Sequence, residues 1–169
     1  VLAILLPLAI ALFAWWFSTG AILWLVRGRH LMAIASTPQG GALIGALLGG
    51  VAIAGLGLAC LARDDLSVTG AYQGFFAALL VWAAVEIGFL TGRVTGPNQL
   101  QLPAQARGWH RFKLASATVL HHEGLIVLLG LSVLAVCWGQ ANAVAVWVYL
   151  ALAMLRLSAK LNLFLGVRF

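Results

Sequence analysis

The sequence predicts an all-α protein: a polytopic bundle of about five transmembrane helices, N-terminus outside, forming a single integral membrane domain over residues 1–169. Three observations predict it. The composition is 63% hydrophobic and 8% charged, with a mean hydropathy of +1.05, which leaves too little polar surface for a soluble globule of this length. Five apolar runs each reach the roughly 20 residues that a helix needs to cross hydrocarbon, and a helix satisfies every backbone polar group within its own segment. The breaks between the runs carry the Pro, Gly and charged residues of loops.

The spans cover roughly residues 2–26, 41–62, 70–92, 113–137 and 141–164, each about the length of a crossing. "RGRHLMAIASTPQGG" closes the first, "RDDLSVTG" the second, "GRVTGPNQLQLPAQARGWHRFK" the third and "WGQAN" the fourth. Val1 in place of Met suggests a sequence that begins inside a longer product. The first run lacks the basic flank of a signal peptide.

The net charge of +6 comes from ten Lys/Arg against four Asp/Glu. It reflects loops short of acids and gives a topology signal, with no nucleic-acid-binding face. Arg27, Arg29, Arg93, Arg107, Arg111 and Lys113 lie in or beside loops one and three; loop two has Arg63 with two aspartates, and loop four has no charge. Loops one and three are therefore expected on the cytoplasmic side. Trp24, Trp109 and Trp138 fall near the interfaces as an aromatic belt, while Trp15, Trp16 and Trp82 lie deeper, as packing residues.

The second span, "GGALIGALLGGVAIAGLGLA", places Gly41, Gly45 and Gly49 on one helix face, a small-xxx-small stripe that favours close helix packing. Cys60 and Cys137 lie in apolar runs without zinc-type spacing and read as small buried hydrophobes. Ser18 and Thr19 have no base placed near them in the sequence and are expected to bond back to their own helix.

The informative residues are ionisable groups within the spans. Glu86 lies in the third, His121, His122 and Glu123 in the fourth, Arg156 and Lys160 in the fifth, with Asn162 nearer the headgroups. Counted at about 1.5 Å per residue from the expected cytoplasmic ends, they fall at similar depths, with the "HHE" triplet roughly 12–15 Å in. Tyr149, Ala153, Arg156 and Lys160 follow one helical face. Charges at mid-bilayer cost about 2.5–3.5 kcal/mol each, so this face should meet protein, with Glu86 and Glu123 as counter-ions in an intramembrane polar cluster.

A metal site is the competing use. Consecutive His121, His122 and Glu123 fan around the helix and cannot converge on one ion, and the Glu-x-x-His pair of di-iron bundles is absent. One imidazole axial to a haem or a chlorophyll magnesium needs only a flat apolar slot, so His121 or His122 is the candidate cofactor ligand. His122 is preferred, because Thr118 one turn earlier could orient its ring. No catalytic residues are assigned, and the metal is left open.

"FAWWFSTGAILWL", "DDLSVTGAYQGFFAALLVWAAVEIGFLTGRVTGP", "GWHRFKLASATVLHHE" and "MLRLSAKLNLFLGV" together resemble, in order and spacing, the PuhE-type photosynthetic complex assembly proteins of purple and related phototrophic bacteria. The blocks span most of the chain from Phe13 to Val167. The resemblance implies a multi-pass protein of the bacterial inner (cytoplasmic or intracytoplasmic) membrane. Its implied role is a non-enzymatic assembly or accessory factor for the reaction-centre and antenna complex or its bacteriochlorophyll supply. Implied partners are reaction-centre or antenna subunits or pigment-synthesis enzymes, besides the lipid bilayer, with bacteriochlorophyll or haem as the cofactors to look for. Two alternatives stand beside it: a subunit of a membrane metal- or haem-dependent oxidoreductase serving bacteriochlorophyll synthesis, and a permanent structural subunit of the complex. The chain departs from the family where it reads Val85-Glu86 in place of His-Glu, which counts against a His-plus-Glu metal site in the third span, and at Arg168, where the family has Pro and continues into further apolar segments.

Orientation is tested by reporter fusions. A fusion after Pro97 should report the cytoplasm and one after Asp65 the periplasm; the reverse pattern would overturn the positive-inside assignment.

Overall fold

A computed structural model describes residues 2–27, 33–34, 36–95, 105 and 107–166. Six α-helices are described: α1 (Leu2–Arg27), α2 (Pro38–Ala62), α3 (Val68–Leu90), α4 (Gly108–Ala117), α5 (Leu120–Cys137) and α6 (Val144–Gly166). All but α4 are long and apolar enough to cross a membrane, so the chain is a multi-pass, all-helical membrane protein. Arg29, His30, Pro97 and Arg168 lie outside the described residues.

The fourth span departs from expectation. In place of one helix over 113–137, a short α4 ends at Ala117, and α5 begins at Leu120. The N–H groups of Thr118 and Val119 turn back to the carbonyls of Ala115 and Ser116 at 3.2 Å, and the Thr118 hydroxyl bonds the Ala115 carbonyl at 2.7 Å. These three-residue bonds tighten the end of α4 and divert its backbone from the α ladder. The "HHE" triplet consequently stands in the first turn of α5, nearer a helix end than the 12–15 Å expected for a continuous helix.

The chain divides at Ile44/Gly45 into two compact units. In the first, none of the membrane-length stretch Leu5–Trp24 of α1 is buried. Phe13, Trp15, Trp16 and Phe17 are exposed, so Trp15 and Trp16 do not take the packing role expected of them, whereas Trp82 packs against Tyr149. Ser18 and Thr19 both donate to the Trp15 carbonyl, at 3.1 and 2.8 Å, and so bond back to their own helix.

In the second unit α3 is central, and its buried face carries Gly70, Gly74, Ala77, Ala78, Val81, Ala84, Val85 and Gly88. Small residues on this face let neighbouring backbones come close. At Gly74 a Cβ would stand 3.2 Å from the Ala145 backbone of α6, and at Gly130 of α5 it would meet the Tyr149 ring at 2.9 Å. Tyr149 repays that space: it is buried, its hydroxyl donates to the Ile126 carbonyl at 2.9 Å, and its ring meets Trp82 edge-on at 5.5 Å. Cys137 packs in the core beside Val133, whereas Cys60 is exposed.

The glycine stripe of the second span is divided, with Gly41 buried and its continuation not. Gly45 and Gly49 are exposed, with no atom within 4 Å of an added Cβ. Ala52, Gly55, Ala59 and Ala62 of α2 are buried at successive helical turns. Gly55 is the contact point, where a Cβ would lie 2.8 Å from Val81 Cγ2 and 2.9 Å from the Ala77 carbonyl. Gly41 and Ala59 lie about five helical turns apart on one face, so the buried stripe overlaps the glycine stripe, and composition alone does not mark where they diverge.

At one end of the bundle Asn142 ties loops two and four together. Its amide donates to the carbonyls of Ala62 and Asp65 at 3.0 and 2.9 Å, its N–H to Arg63, and its Oδ1 accepts from Val144 N–H. One buried side chain thus satisfies the end of α2 and the start of α6. Ser67 caps α3 by accepting from Gly70 N–H and donates its own N–H to Asp65. Hydrogen bonds from the Ser67 side chain and backbone hold the Asp65 carboxyl below its usual range.

Gly55→Ala should lower thermal stability in detergent by about 1–3 kcal/mol, since the Ala77 carbonyl cannot yield without moving α3. Gly45→Ala and Gly49→Ala should stay within about 0.5 kcal/mol of wild type. Equal losses at all three positions would return the packing role to the original stripe.

Candidate functional site

The end of the bundle opposite Asn142 is built from three helix segments. α3 closes in a Schellman turn, with Gly92 at φ 72, its N–H on the Phe89 carbonyl and the Arg93 N–H on Gly88. A side chain at Gly92 would be strained there, whereas glycine adopts this backbone freely. The chain then runs past Val94, and the Thr95 carbonyl accepts the N–H of His122 at 3.0 Å. That N–H is one of the donors a helix start leaves unpaired. The loop after α3 therefore caps α5.

This docking sets the rotation of the "HHE" triplet. His122 is completely buried, His121 is exposed, and Glu123 is half-buried in the first turn, where a carboxylate meets the positive end of the helix dipole. His122, Ile126, Val133 and Cys137 are the buried residues of α5 and share its inward face. α6 brings Arg156 and Lys160 from one stripe, one turn apart.

Two acid–base pairs result. Arg156 Nε lies 3.3 Å from Glu86 Oε1, and Lys160 pairs with Glu123. Glu86 is 14% exposed and Arg156 29%, so this pair is more deeply placed than Glu123–Lys160. Between them stands His122, with Nε2 4.0 Å from the same Glu86 oxygen. Its ring lies against Phe89 at 4.3 Å between centroids, and the Arg156 guanidinium sits 5.3 Å over that phenyl ring. Phe89 thus serves both a cation and an imidazole. Neither nitrogen of His122 hydrogen-bonds to a described residue, nor do Glu86 Oε1 and Arg156 Nε in strict geometry.

Of the residues singled out from sequence, Glu86, His122, Glu123, Arg156 and Lys160 come together here. His121 and Asn162 do not; both are exposed. Thr118 does not orient His122, because its hydroxyl is committed to Ala115. Phe89 was missed, although it lies three residues after Glu86 and so on the same face. The Thr95 carbonyl left no side-chain signal to find.

The chemistry open to the cluster follows from its charges. Two carboxylates, a guanidinium and an ammonium sum to zero, which lets α3, α5 and α6 carry ionisable groups inside a bilayer. A cation at Glu86 would face the Arg156 guanidinium, and no three His, Cys, Asp or Glu side chains gather around one point among the described residues. Phe89 covers one face of the His122 ring, and both ring nitrogens are buried. Of the two adjacent histidines, His121 is the one open to the outside.

The pairing makes a specific prediction. Arg156→Met should cost about 2 kcal/mol in unfolding free energy, less than a fully buried pair because the guanidinium keeps some solvent contact. Adding Glu86→Gln should restore part of the loss, whereas adding Glu123→Gln should not. Restoration by Glu123→Gln instead would reassign the partners.

Residues 1–169 match the family described as "Protein of unknown function (DUF3623)". A protein of Rhodobacter capsulatus, "Uncharacterized 30.4 kDa protein in puhA 5'region", is 42% identical over 159 residues, covering 92% of this chain and 56% of that protein. The chain therefore spans little more than half the length of this relative. No solved structure matches.

Proposed function

The chain belongs to the DUF3623 family, and from that premise we propose that it is a PuhE-type assembly or accessory factor for the bacterial photosynthetic reaction-centre and antenna complex. The observation that carries this reading is the 42% identical relative from the puhA 5' region, whose location points to a photosynthesis gene cluster. The form of the chain is compatible with such work. Helix α1 exposes Leu12, Phe13, Trp16 and Trp24 along its length, an apolar surface on which other transmembrane helices can pack by van der Waals contact. The charge cluster between α3, α5 and α6 then acts as an internal lock that keeps these helices in register.

The oxidoreductase alternative has less behind it, because the buried imidazole shares its carboxylate neighbour with a guanidinium. A transient factor and a permanent subunit differ in stoichiometry.

Deleting the gene in its phototrophic host should lower the near-infrared absorbance of assembled complexes while extractable bacteriochlorophyll is still made. Complete loss of pigment would point to the synthesis pathway instead. Copurification with the reaction centre at one copy each would assign a permanent subunit and overturn the assembly reading.

A further inference from the structure

We propose that the outward face of α4 is a binding surface for the headgroups of anionic phospholipids. The helix is too short to cross a bilayer and has no buried residue. Its two sides differ. Leu114 and Ala115 are half-buried, whereas Trp109, His110, Phe112 and Lys113 are exposed. Trp109 and Phe112, three residues apart, stack at 5.0 Å with their planes 15° apart, and the Lys113 ammonium lies 5.9 Å over the Trp109 ring. An indole beside a cation is the side-chain pairing that favours the membrane–water interface, with the ring at headgroup level and the charge among the phosphates.

Chain geometry holds the helix there. Only Thr118 and Val119 separate α4 from α5, so the end of α4 lies within about 11 Å of the start of a membrane-length helix. Charge then selects the lipid. No Asp or Glu stands between Glu86 and Glu123 in the sequence, and Arg107, Arg111 and Lys113 fall in that interval. Among the described residues no carboxylate pairs with any of these three. The exposed Lys113 ammonium over a stacked aromatic pair, with Arg107 exposed at the start of the helix, fits a phosphate diester carrying net negative charge better than a zwitterionic headgroup. The same cations and rings could in principle meet RNA, but α4 is tethered at the bilayer surface, where lipid is the partner already present.

The test uses the full chain in mild detergent, offered equal amounts of phosphatidylglycerol and phosphatidylcholine and read by native mass spectrometry. Phosphatidylglycerol should be retained preferentially, and the preference should weaken as salt is raised. Lys113→Gln should reduce it roughly fivefold, and Arg107→Gln combined with Lys113→Gln further, since each juxtamembrane cation contributes about that factor. Inorganic phosphate should leave the preference intact; its abolition by free phosphate would assign a soluble-anion site and overturn the proposal. Equal retention of both lipids by the wild-type chain, an unchanged preference in the double variant, or tight binding of a short RNA with no lipid preference would each overturn it as well. The wild-type competition decides the matter even if a variant fails to fold.

Discussion

The second compact unit depends on neutralising charge inside a bilayer. A guanidinium on α6 has to find a carboxylate before the helix can settle among apolar neighbours, because an unpaired buried charge costs several kcal/mol. Glu86 on α3 supplies that carboxylate at 3.3 Å from Arg156 Nε, and Glu123 on α5 does the same for Lys160. Hydrocarbon gives apolar helices little preference for one rotation or depth over another, since a lipid tail is as good a neighbour as a leucine. Two ion pairs from one stripe of α6 to two different helices restrict both.

Close packing follows once these rotations are set. Val81, Val85, Ala77 and Ala78 of α3 are buried in the core, while Glu86 is half-buried to one side of that face, towards Arg156. Gly74 and Gly130 then admit the α6 backbone and the Tyr149 ring at distances a side chain would obstruct. Tyr149 closes its polar end on a backbone carbonyl within the core, so its hydroxyl is satisfied where no water is available. At the opposite end Asn142 plays the same part for the ends of α2 and α6.

The buried His122 is the least satisfied group of the cluster. It is held by its backbone, through Thr95, and by the face of Phe89, while its ring nitrogens make no hydrogen bond among the described residues. Leaving a buried polar atom unpaired costs about 1–3 kcal/mol, and natural chains keep such groups at sites under functional or structural constraint. Its position beside Glu86 places an imidazole and a carboxylate at 4.0 Å.

The sequence by itself determined the class of protein and the inventory of its buried charges. Apolar runs of membrane length admit one secondary structure, and charges on one helical stripe must meet protein. Helix packing and pairing needed the tertiary structure. Nothing in "ASATVLHH" marks a break, since it contains neither Gly nor Pro; the interruption at Thr118–Val119 accompanies the capping of α5 by Thr95, a residue far away in sequence whose contribution is a carbonyl that every residue possesses. Along α2 composition does not tell the buried small residues from the exposed Gly45 and Gly49, and the approach of Val81 and Ala77 of α3 falls at Gly55. Which acid pairs with which base was likewise open, because four charges at similar depth permit two pairings. The relative rotation of α3 and α5 about α6 places Glu86 beside Arg156, and that rotation is a property of the assembled helices, invisible in any one of them.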